Sequence, residues 1–202
     1  LRLAIGMYGG NIDFYDIKGV ADALLKTVRI YDCDYVRTSD SDAFDEASAF
    51  HPGRSAVILK DGKAIGILGE IHPDVAENYG IEVKVYAAKL NVPEMLKLSE
   101  KEVTYKPMPK FPATTRDLSL ICDDNLPAAS IEKAIKKAAG KVLEKVTLFD
   151  VYKGKQIEEG KKSISYSISM RSHDGTLTDE QADSVMKKVL KALKDIGADL
   201  RM

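Results

Sequence analysis

The chain has 202 residues, of which 45% are hydrophobic, and its formal net charge is −1. The hydrophobic content excludes a disordered chain. The length is sufficient for one large domain or two small ones. No apolar run approaches the roughly 20 residues that a membrane-spanning helix needs. The two cysteines, Cys33 and Cys122, are far apart and lack metal-ligand spacing, which indicates reduced thiols in a cytoplasmic protein.

Charge and proline content divide the chain into two halves. Residues 1–105 carry 12 Lys+Arg and 17 Asp+Glu, whereas residues 106–202 carry 18 and 14. Three prolines between residues 107 and 112 favour an extended connector. We therefore predict two domains, 1–105 and 106–202, with a linker at about residues 99–115. Because the chain begins at Leu1 in a strand-like stretch, we expect a fragment of a longer protein.

The first half predicts mostly antiparallel strands with interspersed helices, which is an α+β arrangement. Its first residues, LRLAIGMYGG, indicate a strand. The Asp61-Gly62 pair is typical of a tight hairpin turn between two β-rich runs. The other predicted elements are a helix at residues 13–28, a short helix ending at Gly80 and a strand at residues 83–92.

The second half predicts the order β-α-β-β-α-β, which is the ferredoxin-like arrangement. Thr178 and Gln181 form a capping box at the start of the last helix. The predicted elements are a strand at 116–122, a helix at 126–140, strands at 142–152 and 161–170, a helix after Thr178 and a final strand at 198–202. In this arrangement both helices cover one face of the sheet and leave the other face open.

The stretch KKSISYSISM, residues 161–170, alternates so regularly that it predicts a strand with two different faces. One face carries isoleucine, tyrosine and methionine, and should pack under the helices. The other face carries only serines, at positions 163, 165, 167 and 169, and should lie on the open side.

Patterns typical of catalytic sites are lacking in the sequence. The three histidines, His51, His72 and His173, have no helical spacing to another metal ligand, and neither a P-loop nor a nucleophile elbow is present. We interpret the acidic runs near residues 32–48 as solvated loops rather than cation sites. The residues therefore favour a binding and structural role over a complete enzyme.

Several motifs in the second half occur together in one known family. They are KFPATTRDLSLICDDNLPAASIE, EKVTLFDVYKG, EEGKKSISYSISMRS, and TLTDEQADSVMKKVLKAL followed by GADLRM. With them, residues 109–202 resemble the ferredoxin-fold anticodon-binding domain at the C-terminus of bacterial phenylalanine–tRNA ligase beta subunits. In the first half, HPGRSAVI and GILGEIHPDVAENYGI resemble the end of the non-catalytic, class II synthetase-like antiparallel α/β domain of that subunit.

The resemblance implies a fragment that binds tRNA(Phe) and the alpha subunit of a heterotetramer of two alpha and two beta subunits. It also implies that ATP and Mg²⁺ serve the intact enzyme, that this fragment holds no cofactor or catalytic residue, and that no membrane is involved. The fragment alone is not expected to attach phenylalanine to tRNA. For His51 to Arg54 the resemblance suggests a structural or subunit-contact role.

The resemblance also implies which residues meet the RNA. Asp150 and Tyr152 match the family pattern LFD-x-Y-x-G, and Ser163 matches the following G-x-K-S. Tyrosine can stack on an unpaired base, and carboxylate and hydroxyl groups can bond base edges. The remaining candidates are Lys153, Lys162 and Arg171 for phosphate contact, and Phe111 and Arg116 of the F-P-A-T-T-R-D signature, with Arg116 bridging linker and sheet.

Other interpretations stay open at this point. Tyr152 can be a cap on the core, Asp150 a turn residue, and the serines and lysines a solvated surface. Asp150 and Tyr152 share parity with Val146 and Leu148, so we expect a twist or bulge before the site. Two other functions are a small-molecule regulatory module, because such modules share the strand order, and an assembly scaffold.

Overall fold

The computed structural model describes residues 1–100, 102–103, 105, 107–172 and 174–201. The chain folds as two compact units, Leu1–Tyr105 and Lys106–Met202. The described residues between 99 and 113 form neither helix nor strand, and residues 101, 104 and 106 of the predicted linker lie outside the described part. Within that part, no helix is both long and apolar enough to cross a membrane.

The first unit is built on a five-stranded sheet with antiparallel neighbours throughout. Its strands are β1 (Arg2–Tyr8), β2 (Asp34–Arg37), β3 (Phe50–Lys60), β4 (Lys63–Ile71) and β5 (Val85–Asn91), in the spatial order β1-β5-β4-β3-β2. Its helices are α1 (Phe14–Thr27), α2 (Pro73–Asn78) and α3 (Val92–Leu98). The predicted α+β class is confirmed for this unit.

Local chemistry explains most of these elements. The Asp13 side chain accepts hydrogen bonds from the backbone N–H groups of Tyr15 and Asp16, which caps α1. Asp61 and Gly62 both have positive φ, as the predicted hairpin turn requires. The sequence did not predict β2 or α3, because four and seven residues are too few for a clear period.

The second unit has the predicted β-α-β-β-α-β order. Its elements are β6 (Thr114–Asp123), α4 (Ala128–Ala139), β7 (Leu143–Tyr152), β8 (Lys161–Met170), α5 (Asp179–Lys194) and β9 (Ala198–Leu200). The strands lie in the order β7-β8-β6-β9, and every neighbouring pair is antiparallel. This is the ferredoxin-like sheet, and the predicted fold class is confirmed.

One face of this sheet carries the core of the second unit. Both helices contribute to the same buried cluster, α4 through Ile131 and Ile135 and α5 through Val189 and Leu193. The residues of β8 in that cluster are Ile164, Tyr166, Ile168 and Met170, as predicted. Helical spacing of the apolar residues after Thr178 predicts a buried stripe on α5 that includes Ile196, and this is wrong at Ile196, which lies beyond the end of the helix and is partly exposed. The opposite, helix-free side of the sheet is called the open face below.

Candidate nucleic-acid interface

Strand β7 changes face at a bulge. Between Leu148 and Asp150 the pairing with β8 shifts, so Leu148 and Phe149 together span one position of β8. The pairs on the two sides of the bulge are Leu148 with Tyr166, Asp150 with Ser165 and Tyr152 with Ser163. The extra residue reverses the alternation of side chains beyond it. The predicted bulge is confirmed, and it places Asp150 and Tyr152 on the open face.

The Tyr152 ring lies on the open face, outside the buried cluster of the unit, and is 38% exposed. It packs over Gly154, where a β-carbon would lie 2.5 Å from Cζ of the ring and closer still to its hydroxyl. Glycine two residues after the tyrosine therefore makes room for the ring. Phe149, at the bulge, is 56% exposed. An interpretation of Tyr152 as a cap on the core does not agree with this position.

The serine strand is less open than the sequence predicted. Ser163 is only 1% exposed and Ser165 only 5%, although both point toward the open face. The Ser165 and Ser119 hydroxyls form a hydrogen bond of 2.8 Å, and Ser163 Oγ accepts one of 3.3 Å from Arg201 Nη1. A solvated serine face is thus wrong for these two residues, because side chains from neighbouring strands cover the small hydroxyl groups.

Arg201 is a site residue that the sequence analysis missed. Its Nη2 donates to Gln156 Oε1 at 3.4 Å, so its guanidinium lies between the serine strand and the loop after β7. Its backbone N–H donates to the carbonyl of Ser119 at 2.8 Å, which extends the pairing of β9 with β6 by one residue. Alternation along ADLRM puts Arg201 on the same face as Asp199, and this parity was the available signal.

Two predicted phosphate contacts are engaged within the protein. Lys162 Nζ donates to the backbone carbonyls of Asp124 and Leu126, at 2.8 and 2.7 Å. Its side chain lies on the helix side, because Lys162 pairs with the buried Cys122. Its phosphate contact stays a prediction. Lys153 Nζ lies 2.5 Å from the Asp124 carboxylate, and this hydrogen bond holds the pKa of Asp124 below its usual value.

Arg171, Arg116 and Phe111 also have internal partners. Arg171 forms two hydrogen bonds with the Glu144 carboxylate, at 2.9 and 3.1 Å, and donates to the Phe111 carbonyl. Arg116 Nη2 lies 2.6 Å from Asp179 in the first turn of α5. The predicted bridge from linker to sheet is therefore made by Arg171, whereas Arg116 joins strand β6 to a helix.

The open face is rich in hydrogen-bond acceptors. Asp150 is exposed, and the serine hydroxyls can accept or donate. The strand pairing places five more charged residues on this face, Asp117, Asp123, Lys145, Lys161 and Asp199. With Asp150 and Arg201, these residues supply four carboxylates and three cations. Such a surface suits the donor groups on base edges better than it suits phosphates.

In the first unit, the His51–Arg54 segment is organised by internal contacts. His51 Nδ1 accepts a hydrogen bond of 3.0 Å from the Gly53 backbone N–H. Arg54 forms a bidentate pair with the buried carboxylate of Glu70, which also accepts from the Tyr86 hydroxyl. The hydrogen bonds from Arg54 hold the pKa of Glu70 below its ordinary value. Arg54 therefore keeps a buried carboxylate paired.

Metal ligation has no structural support in the described ranges, which contain no group of three or more His, Cys, Asp and Glu side chains able to hold an ion. His173, one of the three histidines considered above, lies outside the described residues.

Comparison with known proteins identifies both units. The family model for the ferredoxin-fold anticodon binding domain matches residues 109–201. The model for the phenylalanyl tRNA synthetase beta chain CLM domain matches residues 1–92. The chain belongs to the family of phenylalanine–tRNA ligase beta subunits.

Curated members of this beta-subunit family match over almost the whole chain. The beta subunit of Clostridium acetobutylicum is 42% identical over 200 residues, which is 98% of this chain and 24% of that protein. The beta subunit of Clostridium tetani is 44% identical over 200 residues, with the same coverage of both chains. The beta subunit of Bacillus subtilis is 36% identical over 185 residues, which is 91% of this chain and 22% of that protein. The chain thus spans about a quarter of the length of these relatives.

Proposed function

We propose that the open face of the second unit binds the anticodon loop of tRNA(Phe), with Asp150 and Tyr152 as the main contacts. The observation that carries this proposal is the bulge at Phe149, which turns both side chains onto an exposed, acceptor-rich face. The family model for an anticodon-binding domain supports the choice of ligand. Tyr152 stacks on an unpaired base, and the Asp150 carboxylate accepts from N–H groups on a base edge.

Arg201 belongs to this proposed site. Ser163 meets RNA directly only when the Arg201 guanidinium moves away from its hydroxyl. The two side-chain hydrogen bonds of Arg201 are long, at 3.3 and 3.4 Å, and involve two of its five N–H donors. A base or phosphate oxygen can therefore bind Arg201, and Ser163 then acts as a support that orients it.

At the level of the whole enzyme, we propose that this chain serves a phenylalanine–tRNA ligase in the cytoplasm. Its relatives in Clostridium acetobutylicum and Clostridium tetani, which are named as beta subunits of phenylalanine–tRNA ligase, support this assignment. The first unit, residues 1–105, is then the C-terminal part of the non-catalytic synthetase-like domain, and it assembles with the alpha subunit in a heterotetramer of two alpha and two beta subunits. ATP and Mg²⁺ act in the intact enzyme.

Binding of a fluorescent anticodon stem-loop of tRNA(Phe) to the full chain tests the proposed site. Replacing Tyr152 with alanine should weaken binding about 5- to 150-fold, the equivalent of one lost stacking contact of about 1–3 kcal/mol. Asp150→Asn should weaken it about tenfold or more, because a charged acceptor becomes a neutral one. Ser167→Ala, a control on the same face, should bind like the original chain.

Two results would contradict the proposal. One is unchanged affinity in both the Tyr152 and Asp150 variants. The other is equal binding of a stem-loop whose anticodon bases are replaced, since the proposed contacts are to bases rather than to the backbone. If the chain bound free amino acids but did not bind the stem-loop, the result would instead favour a small-molecule regulatory module.

A further inference from the structure

The outer side of the helical layer has a different composition from the open face. Helices α4 and α5 pack side by side over the sheet, with their apolar residues turned inward. Their outward positions are dominated by lysine. The lysine face is defined as Lys133, Lys136, Lys137 and Lys141 with Lys187, Lys188, Lys191 and Lys194, and all eight side chains are exposed.

Helical spacing groups these lysines into rows. Positions 133, 136 and 137 lie on one side of α4, opposite the buried Ile131 and Ile135. Positions 187, 191 and 194 follow one another along α5, opposite the buried Val189 and Leu193. The two rows face away from the sheet, so they lie on the far side of the unit from Asp150 and Tyr152.

Few acidic side chains balance this charge. Within the described part of the chain, seven of the eight lysines make no side-chain hydrogen bond or ion pair; Lys133 is the eighth. The acids of α5 are concentrated in its first turns, where Arg116 lies 2.6 Å from Asp179 and 3.6 Å from Asp183. The middle of the layer therefore presents unpaired positive charge.

The composition of the lysine face argues against a protein partner. Protein interfaces are depleted in lysine and depend on buried aromatic or other large anchors. Among the described residues of α4 and α5, no large hydrophobic side chain is strongly exposed. Lysine acts as a point charge without the directional fork of arginine, which suits a partner with many equivalent anionic groups. The sugar–phosphate backbone of a nucleic acid has this property.

We propose that the lysine face is a second nucleic-acid contact, which binds the phosphate backbone of a paired RNA stem without reading its sequence. It is separate from the open face, because the sheet and the helical layer lie between the two surfaces. Its affinity arises from the release of counterions, and therefore falls steeply with salt.

A blunt RNA duplex is the probe that isolates this surface, because it offers no unpaired base to Tyr152. The test variant of the full chain carries Lys→Gln at positions 136, 137, 187 and 191. The control carries Lys→Gln at positions 26, 63, 84 and 110, which are exposed lysines outside the layer. Both variants have the same net charge, and glutamine has nearly the same helix propensity as lysine.

At low salt the test variant should bind the duplex at least tenfold more weakly, and the control variant within about threefold of the original chain. The slope of log K against log salt should become shallower by about 3.6 in the test variant when all four lysines contact phosphates, since each lost contact contributes about 0.9. Equal losses in both variants would mean that only net charge matters, and would overturn the proposal. Absence of duplex binding by the original chain would also overturn it.

The same experiment keeps the two surfaces distinguishable. Asp150→Asn and Tyr152→Ala should leave duplex binding unchanged while weakening the anticodon stem-loop. If these variants lowered duplex binding as much as the four lysine replacements, a single surface would serve both ligands and the second contact would be refuted.

Discussion

Gly154→Ala is expected to weaken RNA binding without weakening the fold. A β-carbon at this position lies 2.5 Å from Tyr152 Cζ, whereas ordinary contacts begin at 3.4 Å. The ring must therefore move by at least about 0.9 Å, since the hydroxyl is closer still, and it can do so because it is partly exposed. The backbone φ of Gly154 lies outside the left-handed region, so alanine should be accepted there and should even stabilise the chain slightly, by about 0.4–1 kcal/mol.

The size of the binding loss follows from the stacking contact. Complete loss of one stacked base costs about 1–3 kcal/mol, or about 5- to 150-fold in affinity, which Tyr152→Ala should reach. Gly154→Ala should lose a part of this, at least about threefold, because the ring remains but is displaced.

The assay combines two measurements on the same variants. Fluorescence anisotropy with the anticodon stem-loop reports binding, and urea unfolding reports stability. Gly175→Ala is the matched control, because its β-carbon meets nothing within 4 Å and its φ also lies outside the left-handed region. If Gly154→Ala binds RNA like the original chain while Tyr152→Ala loses binding, the position of the ring set by Gly154 does not determine RNA affinity, which would refute this prediction.

Two further predictions concern stability. Thr178→Ala should lower the free energy of unfolding of the second unit by about 1 kcal/mol, because the Thr178 hydroxyl caps α5 by accepting a hydrogen bond from the Gln181 N–H. Urea titration monitored by a probe in this unit measures the change. A decrease smaller than about 0.3 kcal/mol would contradict the capping role. Hydrogen bonds from Arg171 hold the pKa of Glu144 below its ordinary value, so this carboxylate stabilises the fold above its unfolded-state pKa and loses that effect as pH falls through its lower folded-state value. The stability difference between the original chain and Glu144→Gln should therefore be largest near pH 7 and shrink below pH 4.5, whereas a constant difference from pH 7 to 3 would show that packing rather than ionisation is responsible.

Periodicity predicted the parts of the second unit that depend on local sequence. Alternation in residues 161–170 identified the buried face of β8, and the capping box at Thr178 marked the start of α5. Both signals arise within a few residues of the chain. The bulge in β7 was also predictable, because Asp150 and Tyr152 share parity with residues of the core side. Regular alternation would place Asp150 and Tyr152 on the core side, whereas the family motif assigns them to an exposed site, and a bulge resolves this conflict.

The contacts of long side chains were not predictable from local patterns. Ser163 is covered by Arg201, which is 38 residues away in sequence and reaches it from another strand. Lys161 and Lys162 are adjacent and look alike in the sequence, but only Lys162 donates hydrogen bonds to two backbone carbonyls of the turn before α4. Burial of small polar groups and pairing of lysines depend on which strands become neighbours, and this is a property of the whole sheet.

The bulge explains how one short strand serves two purposes. Before Phe149, even-numbered residues such as Val146 and Leu148 lie on the helix side of β7, where Val146 packs against the core. After it, even-numbered residues lie on the open face. If the same residues of β7 were paired regularly, without a bulge at Phe149, Asp150 would lie under the helices, where an unpaired carboxylate is costly, and Val151 would lie on the open face. The bulge therefore keeps the core apolar and lets Asp150 and Tyr152 lie side by side on the open face.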